Sequence, residues 1–370
     1  MMKKSQSEEA LAELAENQTL GTDGNLTFQN VGFALPGKQN KWLVKDVTGY
    51  VKAGQMLAII GASGAGKTTM LDSLALRMSS PVAGKVCING REISESVFHS
   101  SCVYVMQDNY LWPALTVREN MLYAAKLYVP DSSEGIEKKV DQLLSAVGLS
   151  SCADTQGGNV LIRGVSGGQK KRLSLAIELL KSPAILFLDE PTSGLDSAAA
   201  AAIMKLLTNI AVKYSKAIVC SIHQPESRIF LAFDQMMLLS QGRVAYFGPA
   251  KDACAYFAKC FDLHCPSNMN PADYLLEITN ADFRKEEDVM RLLDEWPTSE
   301  EGVAMEKEVA SLAAKEPPKP SKVGTLGIFG QLPILASRTF QNVSLLRSTR
   351  TTPRWGTPTR PAPQHHTSDY

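Results

Sequence analysis

A run of five apolar residues followed at once by a glycine-rich turn limits this chain more than any other feature. Residues 56–60 read Met-Leu-Ala-Ile-Ile, apolar on both faces as a buried parallel strand must be. Residues 61–68 read GASGAGKT and match GxxxxGK[ST], the pattern of a phosphate-binding loop. Its glycines let backbone N–H groups turn inward around a phosphate, and a following helix adds positive potential at its N-terminus. With a helix predicted over residues 68–78, the segment predicts a nucleotide-binding α/β domain.

A second apolar run ends in two carboxylates. Residues 184–188 predict a buried strand, and Asp189 and Glu190 follow it directly. Ligands bind at the carboxyl ends of strands in open α/β sheets. Asp189 is therefore placed to hold Mg²⁺, directly or through water, and Glu190 to polarise an attacking water as general base. In a phosphate-binding loop of this type, Lys67 reaches the β- and γ-phosphates and Thr68 ligates Mg²⁺.

The remaining pattern alternates strands with helices. Further strands are predicted at residues 26–31, 43–51 and 217–221, with a hairpin over 236–247, whereas residues 109–182 are mainly helical and include a capping box at Thr116 and Glu119. Such alternation favours a parallel α/β core. The Lys170–Arg172 run is interpreted as a solvated helix face.

Composition excludes some classes of protein. The chain has 38 basic and 38 acidic side chains, and this balance argues against a nucleic-acid binder held by bulk electrostatics. Seven cysteines without a CxxC pair indicate free thiols in a reducing compartment. No secretory signal is visible, and no stretch reaches the roughly 18 apolar residues of a membrane span.

Four further motifs lie in a fixed order around the two carboxylates. Residues 165–169 read VSGGQ before a predicted helix, where Ser166 can cap the helix and Gly167 and Gly168 can expose N–H groups to a γ-phosphate. Gln107 ends a predicted strand, residues 193–196 read SGLD, and His223 follows another strand. These motifs and their order along the chain resemble those of ATP-binding cassette (ABC) proteins. Residues 165–169 resemble the signature motif, Gln107 the Q-loop glutamine, residues 193–196 the D-loop and His223 the switch histidine. The resemblance covers residues 26–279.

The resemblance implies a fold and a composite site. The fold is an α/β P-loop NTPase with a parallel-sheet core, an antiparallel β subdomain and a helical subdomain, as in ABC ATPases. Two cassettes pair head-to-tail, and ATP lies between the phosphate-binding loop of one and the signature motif of the other. The implied ATP contacts are Gly61, Ser63, Gly64, Gly66, Lys67, Thr68 and Thr69 of one cassette with Ser166, Gly168 and Gln169 of the other. The implied Mg²⁺ ligands are Thr68, Asp189 and Gln107, and the implied catalytic residues are Lys67, Gln107, Glu190 and His223.

Three later stretches narrow the resemblance. Residues 223–225 (HQP), 248–249 (GP) and 270–274 (NPADY) are similar to the G subfamily, the white and pleiotropic-drug-resistance type. The resemblance implies the ATP-hydrolysing subunit of a transmembrane exporter, working at the cytoplasmic face of a membrane with a second cassette, identical or not. The transmembrane domain is expected to be absent from this chain, which by itself is expected to be soluble or peripheral, and no nucleic-acid partner is expected.

The predicted organisation has five parts. Residues 1–24 are a polar, mobile leader, 25–262 the ABC ATPase domain with its helical subdomain at about 109–182, and 263–315 a helical extension. Residues 316–342 are a linker followed by an amphipathic connecting helix from about residue 330, and 343–370 a disordered tail.

Some alternatives stay open at this point. Leu35 aligns where many cassettes carry an adenine-stacking tyrosine, so either base stacking is weak or Phe33 or Trp42 takes over that role. A truncated regulatory or non-transporting ABC ATPase is the alternative function. A soluble cassette ATPase acting on ribosomes or DNA is disfavoured, because those chains carry two cassettes or a long coiled-coil insertion. The Ser166 motif and His223 argue against a P-loop kinase.

Overall fold

The computed structural model describes residues 24–35, 37, 41–129, 131–314 and 328–348. Three segments lie outside the described residues. They are residues 1–23 of the predicted leader, residues 315–327 around the predicted linker, and the predicted tail from residue 349 onward.

The described elements alternate strands and helices along the chain. The strands are β1 (Leu26–Ala34), β2 (Trp42–Val51), β3 (Met56–Gly61), β4 (Ala83–Ile88), β5 (Arg91–Glu92), β6 (Cys102–Val105), β7 (Ile185–Asp189), β8 (Ala217–Ile222), β9 (Gln235–Ser240) and β10 (Arg243–Gly248). The helices are α1 (Lys67–Leu74), α2 (Glu95–Ser101), α3 (Val117–Tyr128), α4 (Ser133–Ala146), α5 (Gly167–Leu179), α6 (Ser197–Tyr214), α7 (Ser227–Phe230), α8 (Ala253–Phe261), α9 (Pro271–Ile278), α10 (Glu286–Glu295), α11 (Glu300–Ala313) and α12 (Ile328–Ser348). Short 3₁₀ turns lie at Ser150–Cys152, Ala250–Asp252 and Trp296–Thr298.

The core is a six-stranded sheet in the order β10-β9-β3-β8-β7-β6. The strands from β9 to β6 are parallel, and β10 pairs antiparallel with β9 at the edge. Every residue of β3 and β8 is buried, as expected where both faces of a parallel sheet are covered. Because parallel strands end at the same edge, the segments after β3, β6, β7 and β8 are gathered there.

A second, antiparallel sheet packs beside the core in the order β2-β1-β4-β5. Lys45 N donates to Gly242 O at 2.8 Å, which ties β2 to the turn between β9 and β10. The rings of Tyr50 and Phe247 lie 5.4 Å apart between the two sheets. With this sheet, the parallel core and the helices, the predicted fold class is confirmed.

Helices α3, α4 and α5 pack against one another beyond the β6 edge. The predicted capping box begins α3: Thr116 Oγ1 accepts from Glu119 N at 3.1 Å, and Glu119 Oε2 accepts from Thr116 N at 2.8 Å. Between α4 and α5 the chain forms a long loop, so the segment predicted as mainly helical contains more irregular structure than expected. The helix predicted over residues 68–78 is also shorter, since α1 ends at Leu74 and Leu76 adopts a left-handed φ of 52°.

Helices α8, α10 and α11 pack onto the β10 side of the molecule. Tyr246 of β10 lies 5.2 Å from the ring of Tyr256 in α8 and 5.6 Å from that of Trp296. Helix α11 contacts β10, β2 and β1. This aromatic packing joins the predicted helical extension to both sheets.

Helix α12 lies against α3. The Arg338 guanidinium stacks 4.6 Å from the Trp112 ring centre, and Gln341 Nε2 donates to Glu119 Oε1 at 2.6 Å. Gln341 also accepts from the Tyr123 hydroxyl. The helix continues through Pro333 to Ser348, so the predicted start of the tail at residue 343 falls inside it.

A buried lysine lies between α6 and β8. Lys216 is 7 % exposed, and its ammonium has no hydrogen-bond or ion-pair partner among the described residues. It lines an apolar cleft with Leu143, Ile210 and Tyr214. Burial lowers the pKa of Lys216 from 10.5 to about 8. Folding at neutral pH therefore takes most of the Lys216 side chain out of water, at a cost to its charged form.

We predict that Lys216→Met stabilises the fold at pH 7 by about 1–3 kcal/mol. Between pH 8 and 10.5 the unfolded wild-type chain keeps the lysine proton and the folded chain does not, so wild-type stability rises there and the advantage of the variant shrinks. Urea unfolding from pH 7 to 10 measures both effects, with the exposed Lys213→Met as control. A destabilised variant, or an advantage independent of pH, would contradict the prediction.

Candidate functional site

The loop between β3 and α1 has open backbone positions. Gly64 and Gly66 adopt left-handed φ angles of 77° and 100°, which favour glycine. A side chain added at Gly64 would meet nothing within 4 Å. No side chain caps the N-terminus of α1, so its first N–H groups remain available to an anion. The predicted contacts Ser63 and Thr68 are exposed beside this loop, and Thr69 is half-buried.

Lys67 is the buried cation of the loop. It is 8 % exposed, and its Nζ donates to Gly61 O at 2.8 Å and to Ala62 O at 3.0 Å. Burial lowers the Lys67 pKa, and the negative charges of Glu190 and Asp189 oppose that shift. The ammonium therefore lies within the field of both carboxylates, as a phosphate-binding lysine beside acidic residues requires.

The two carboxylates end β7 and share one serine. Ser221, the neighbouring residue on β8, donates from Oγ to Asp189 Oδ1 at 2.6 Å and accepts from Glu190 N at 2.9 Å. Glu190 has a φ of 40°, a strained angle for a non-glycine residue. Strain of this kind concentrates at functional sites when neighbouring bonds hold it in place. The Ser221 bonds hold it here, so β8 orients both acids.

Gln107 reaches the same edge from the end of β6. Its Nε2 donates to Glu190 Oε2 at 2.9 Å and to Ser193 Oγ at 3.2 Å. The predicted Q-loop, the second carboxylate and the predicted D-loop are thus joined through one amide.

His223 borders an open cleft of about 230 Å³ beyond the carboxylates. Glu190 and Ser193 line the same cleft. Asn270, which caps α9, donates from Nδ2 to Pro225 O at 2.8 Å and so fastens the loop after His223. The HQP and NPADY stretches, distant in sequence, are therefore in direct contact.

The signature segment begins α5. Ser166 and Gln169 form a reciprocal capping box: Ser166 Oγ accepts from Gln169 N at 3.3 Å, and Gln169 Oε1 accepts from Ser166 N at 2.8 Å. Ser166 and Gly167 are exposed, and a Cβ at Gly168 would lie 3.1 Å from Ala199 Cβ. No hydrogen bond within the described ranges joins this segment to the phosphate-binding loop of its own chain.

The structure thus divides the predicted residues into two groups. Lys67, Gln107, Asp189, Glu190 and His223 lie at one edge of the core sheet, with the glycine loop and Thr68 beside them. Ser166, Gly168 and Gln169 form the second group at the start of α5, with no hydrogen bond to the phosphate-binding loop among the described residues.

Sequence reasoning missed Ser221 and misread one lysine. Ser221 gave no signal because serine is common at strand ends. The interpretation of Lys170–Arg172 as a solvated face is wrong for Lys171, which is 4 % exposed and donates to the backbone after β6. A helix face cannot be assigned from a run of three charges when the helix is wedged against a loop.

A glycine loop without a capping side chain, a buried lysine and paired carboxylates on a parallel sheet define a P-loop NTPase. Comparison with known proteins makes the class specific. Residues 44–193 match the sequence model of the family described as ABC transporter, and residues 223–299 match that of the family described as ABC-2 type transporter. ABC transporter G family member 11 of Arabidopsis thaliana is 40 % identical over 286 residues, covering 75 % of this chain and 40 % of that protein.

A second G family protein and one solved structure are also similar to this chain. ABC transporter G family member 13 of Arabidopsis thaliana is 44 % identical over 247 residues, or 66 % of this chain and 36 % of that protein. A solved structure of cbiO1 from Clostridium perfringens, part of the ABC transporter complex cbiONQ, is 24 % identical with a TM-score of 0.56, covering 65 % of this chain and 97 % of that one. That likeness concerns the fold alone.

This chain belongs to the ABC transporter ATPases, and its relatives are members of their G family. Nucleotide binding and the enzymatic class, ATPase, follow from the matched domain. The chain spans 26–50 % of the length of the curated relatives compared. None of the helices within the described ranges combines the length and apolar content needed to cross a bilayer.

We predict that Ser221→Ala lowers ATP turnover about 10-fold, because Asp189 and the Glu190 backbone both lose a partner that orients them. Its stability cost should be about 1–3 kcal/mol, typical of a buried hydrogen-bonded group. Ser240→Ala is the matched control, since Ser240 is also buried and donates to Thr279 O at 2.6 Å away from the carboxylates. Equal turnover in the two variants would show that Ser221 is only structural.

Proposed function

We propose that this chain binds Mg-ATP and hydrolyses it as the ATPase part of a G-type exporter. The observation that carries the proposal is the Gln107 amide bonded to Glu190 and Ser193, at the sheet edge where the phosphate-binding loop opens. A strand-end carboxylate, a sensing amide and a phosphate loop at one edge suit hydrolysis of a γ-phosphate.

Phosphate binding is assigned to the loop before α1. The N–H groups around Gly61, Ser63, Gly64 and Gly66, with those of Thr68 and Thr69, are proposed to surround the phosphates. Lys67 now donates to two loop carbonyls. We propose that it exchanges them for phosphate oxygens, which are stronger acceptors for a cation.

The residues beside the loop fit Mg²⁺, since hydroxyl, amide and carboxylate oxygens are the ligands this ion prefers. Thr68, Gln107 and Asp189 are the proposed holders. When bound, the ion would neutralise charge on the phosphate oxygens.

Hydrolysis is assigned to Glu190 and His223. Glu190 is proposed to take the proton of the attacking water as general base. The Ser221 bond to its backbone and the Gln107 bond to its carboxylate fix it against rotation. His223, which lines the same cleft as Ser193, is proposed to contact the γ-phosphate and help hold the developing charge.

A second cassette is proposed to complete the site. Ser166, Gly168 and Gln169 lie at the N-terminus of α5, which no hydrogen bond among the described residues joins to the phosphate loop of its own chain, and such a terminus is suited to a γ-phosphate. Head-to-tail pairing brings each signature segment over the ATP of the other cassette, with residues 193–196 at the interface.

Trp42 is proposed to stack on adenine. Phe33 is buried, whereas Trp42 is 43 % exposed at the start of β2. The carbonyl of the next residue, Leu43, approaches Gly66 so closely that an added Cβ would lie 2.8 Å from it. The indole itself lies against Gly32 of β1, where an added Cβ would be 2.9 Å from Trp42 Cζ3, and its exposed part is proposed to receive the base.

The domain division that we propose is the one predicted from the sequence. It comprises a cassette over residues 25–262, an extension over 263–315 and a connecting segment that ends in α12. On α12 the side chains Leu332, Phe340 and Val343 are exposed, while Arg338 stacks on Trp112 before α3 and Gln341 bonds to Glu119 within α3. We propose that this helix leads to a membrane domain and sets the cassette at the cytoplasmic face of a membrane.

Two substitutions separate binding from hydrolysis. Lys67→Ala should abolish tight ATP binding because the phosphates lose their buried cation. Glu190→Gln should keep ATP binding and lose turnover by about 10²-fold or more, as expected for a missing general base. Equilibrium binding of a fluorescent ATP analogue and steady-state phosphate release measure the two effects.

Glu178→Gln is the matched control, since Glu178 pairs with Lys181 on the outer part of α5 and should leave both properties unchanged. Full turnover in Glu190→Gln would remove the role assigned to that residue. Loss of ATP binding in Glu190→Gln would show that it acts before hydrolysis.

A further inference from the structure

Lys171 is a buried cation outside the residues assigned so far. It lies on α5, two residues after Gln169, and is 4 % exposed. Its Nζ donates to Met106 O and to Gln107 O, both at 2.9 Å. The lysine of the signature helix thus holds the backbone of the very residue whose side chain contacts Glu190.

Burying the Lys171 ammonium costs free energy. Burial lowers the Lys171 pKa, and the charges of Asp189 and Asp108 oppose that shift. A buried ammonium is unfavourable unless it is bonded and compensated, and both conditions are met here by the two carbonyls and the nearby acids. Methionine would fill a similar volume without this cost.

A second bond ties the same two elements. One turn further along α5, Ser174 donates from Oγ to Asn109 Oδ1 at 3.0 Å. Residues three apart lie on the same helix face. Helix α5 therefore holds the loop after β6 at two points, Gln107 and Asn109.

The loop has little else to fix it. Residues 106–111 form no regular secondary structure, and Met106, Gln107, Asp108 and Tyr110 are exposed. Gln107 Nε2 must nevertheless stay within 2.9 Å of Glu190 Oε2 and 3.2 Å of Ser193 Oγ. The bonds from α5 supply the restraint on its backbone.

We propose that Lys171 is a positioning residue for ATP hydrolysis, which sets Gln107 against Glu190 and links the signature segment at the start of α5 to the hydrolytic residues of the same chain. This rests on the proposed function. Because Ser166, Gly168 and Gln169 would contact the ATP of the second cassette, any shift of α5 caused by that contact moves Gln107 in its own site. The two ATP sites of a dimer would thus be joined through a lysine.

The test compares kcat and KM for ATP in the full chain. Lys171→Met should lower kcat by about 10- to 100-fold, the loss expected when a catalytic group is misplaced by about 1 Å. KM should stay within about twofold, because the phosphate loop is untouched. The double variant Lys171→Met/Gln107→Ala should be no slower than Gln107→Ala alone, since both changes act through one amide.

Two more variants keep the test decisive. Lys139→Met is the matched control: Lys139 is half-buried and donates to Leu180 O at 3.2 Å beyond the other end of α5, so kcat should not change. Ser174→Ala removes the milder tie and should lower kcat by about 2- to 5-fold, in line with a single lost hydrogen bond. If Lys171→Met does not fold, Ser174→Ala decides alone, again through its non-additivity with Gln107→Ala.

Wild-type kcat in folded Lys171→Met, or in Ser174→Ala when the former does not fold, would overturn the inference. Losses that multiply in the double variant would also overturn it, because the lysine would then act independently of Gln107. If the wild-type chain hydrolysed no ATP, the proposed function would fail with it. If the wild type and Lys139→Met hydrolyse ATP and Lys171→Met equals them, only the positioning role fails.

Discussion

The parallel pairing of β3, β8, β7 and β6 is the constraint on which the site depends. Asp189 pairs with Ser221, and Val105 with Leu188, so the phosphate loop, both carboxylates and the loop that carries Gln107 follow strand ends at one edge. Moving β7 by one residue would turn Asp189 and Glu190 to the opposite faces of the sheet. Because both faces of β7 and β8 are buried, their apolar side chains alone do not select the register, and the bonds from Ser221 to Asp189 and Glu190 fit the observed one.

The same edge collects charge that the core alone could not tolerate. Burial lowers the pKa of Lys67 and of Lys171, and in each case Asp189 and Glu190 counteract it. The left-handed φ of Glu190 adds local strain, offset by the Ser221 and Gln107 bonds. Lys67, Lys171 and Ser221 are the buried members of this network, and each would be costly to leave without its partner. The exposed loop after β6, which carries Gln107 into this network, is held by hydrogen bonds from Lys171 and Ser174 of α5.

Much of this was predictable from sequence, for physical reasons. The apolar runs before Gly61 and Asp189 specify buried parallel strands, and Thr116 with Glu119 specifies a helix start from local chemistry alone. Contacts between residues far apart in the chain could not be predicted from the sequence. Ser221 and Asp189 are 32 residues apart, Asn270 and Pro225 are 45 apart, and Lys171 and Gln107 are 64 apart. The helix after residue 68 was predicted too long because Leu76 turns left-handed where propensity favours helix. The roles of the site residues stay predictions.

The proposed enclosure of ATP between the phosphate loop of one cassette and the signature motif of another can be tested by sedimentation. In Glu190→Gln, ATP should persist and hold two chains together, so Mg-ATP should convert monomer to dimer and Mg-ADP should not. Adding Gly168→Asp should leave that chain monomeric in Mg-ATP, because a carboxylate would face the γ-phosphate and an added Cβ already lies 3.1 Å from Ala199 Cβ. A monomer in Mg-ATP for Glu190→Gln, or a dimer unaffected by Gly168→Asp, would contradict the account.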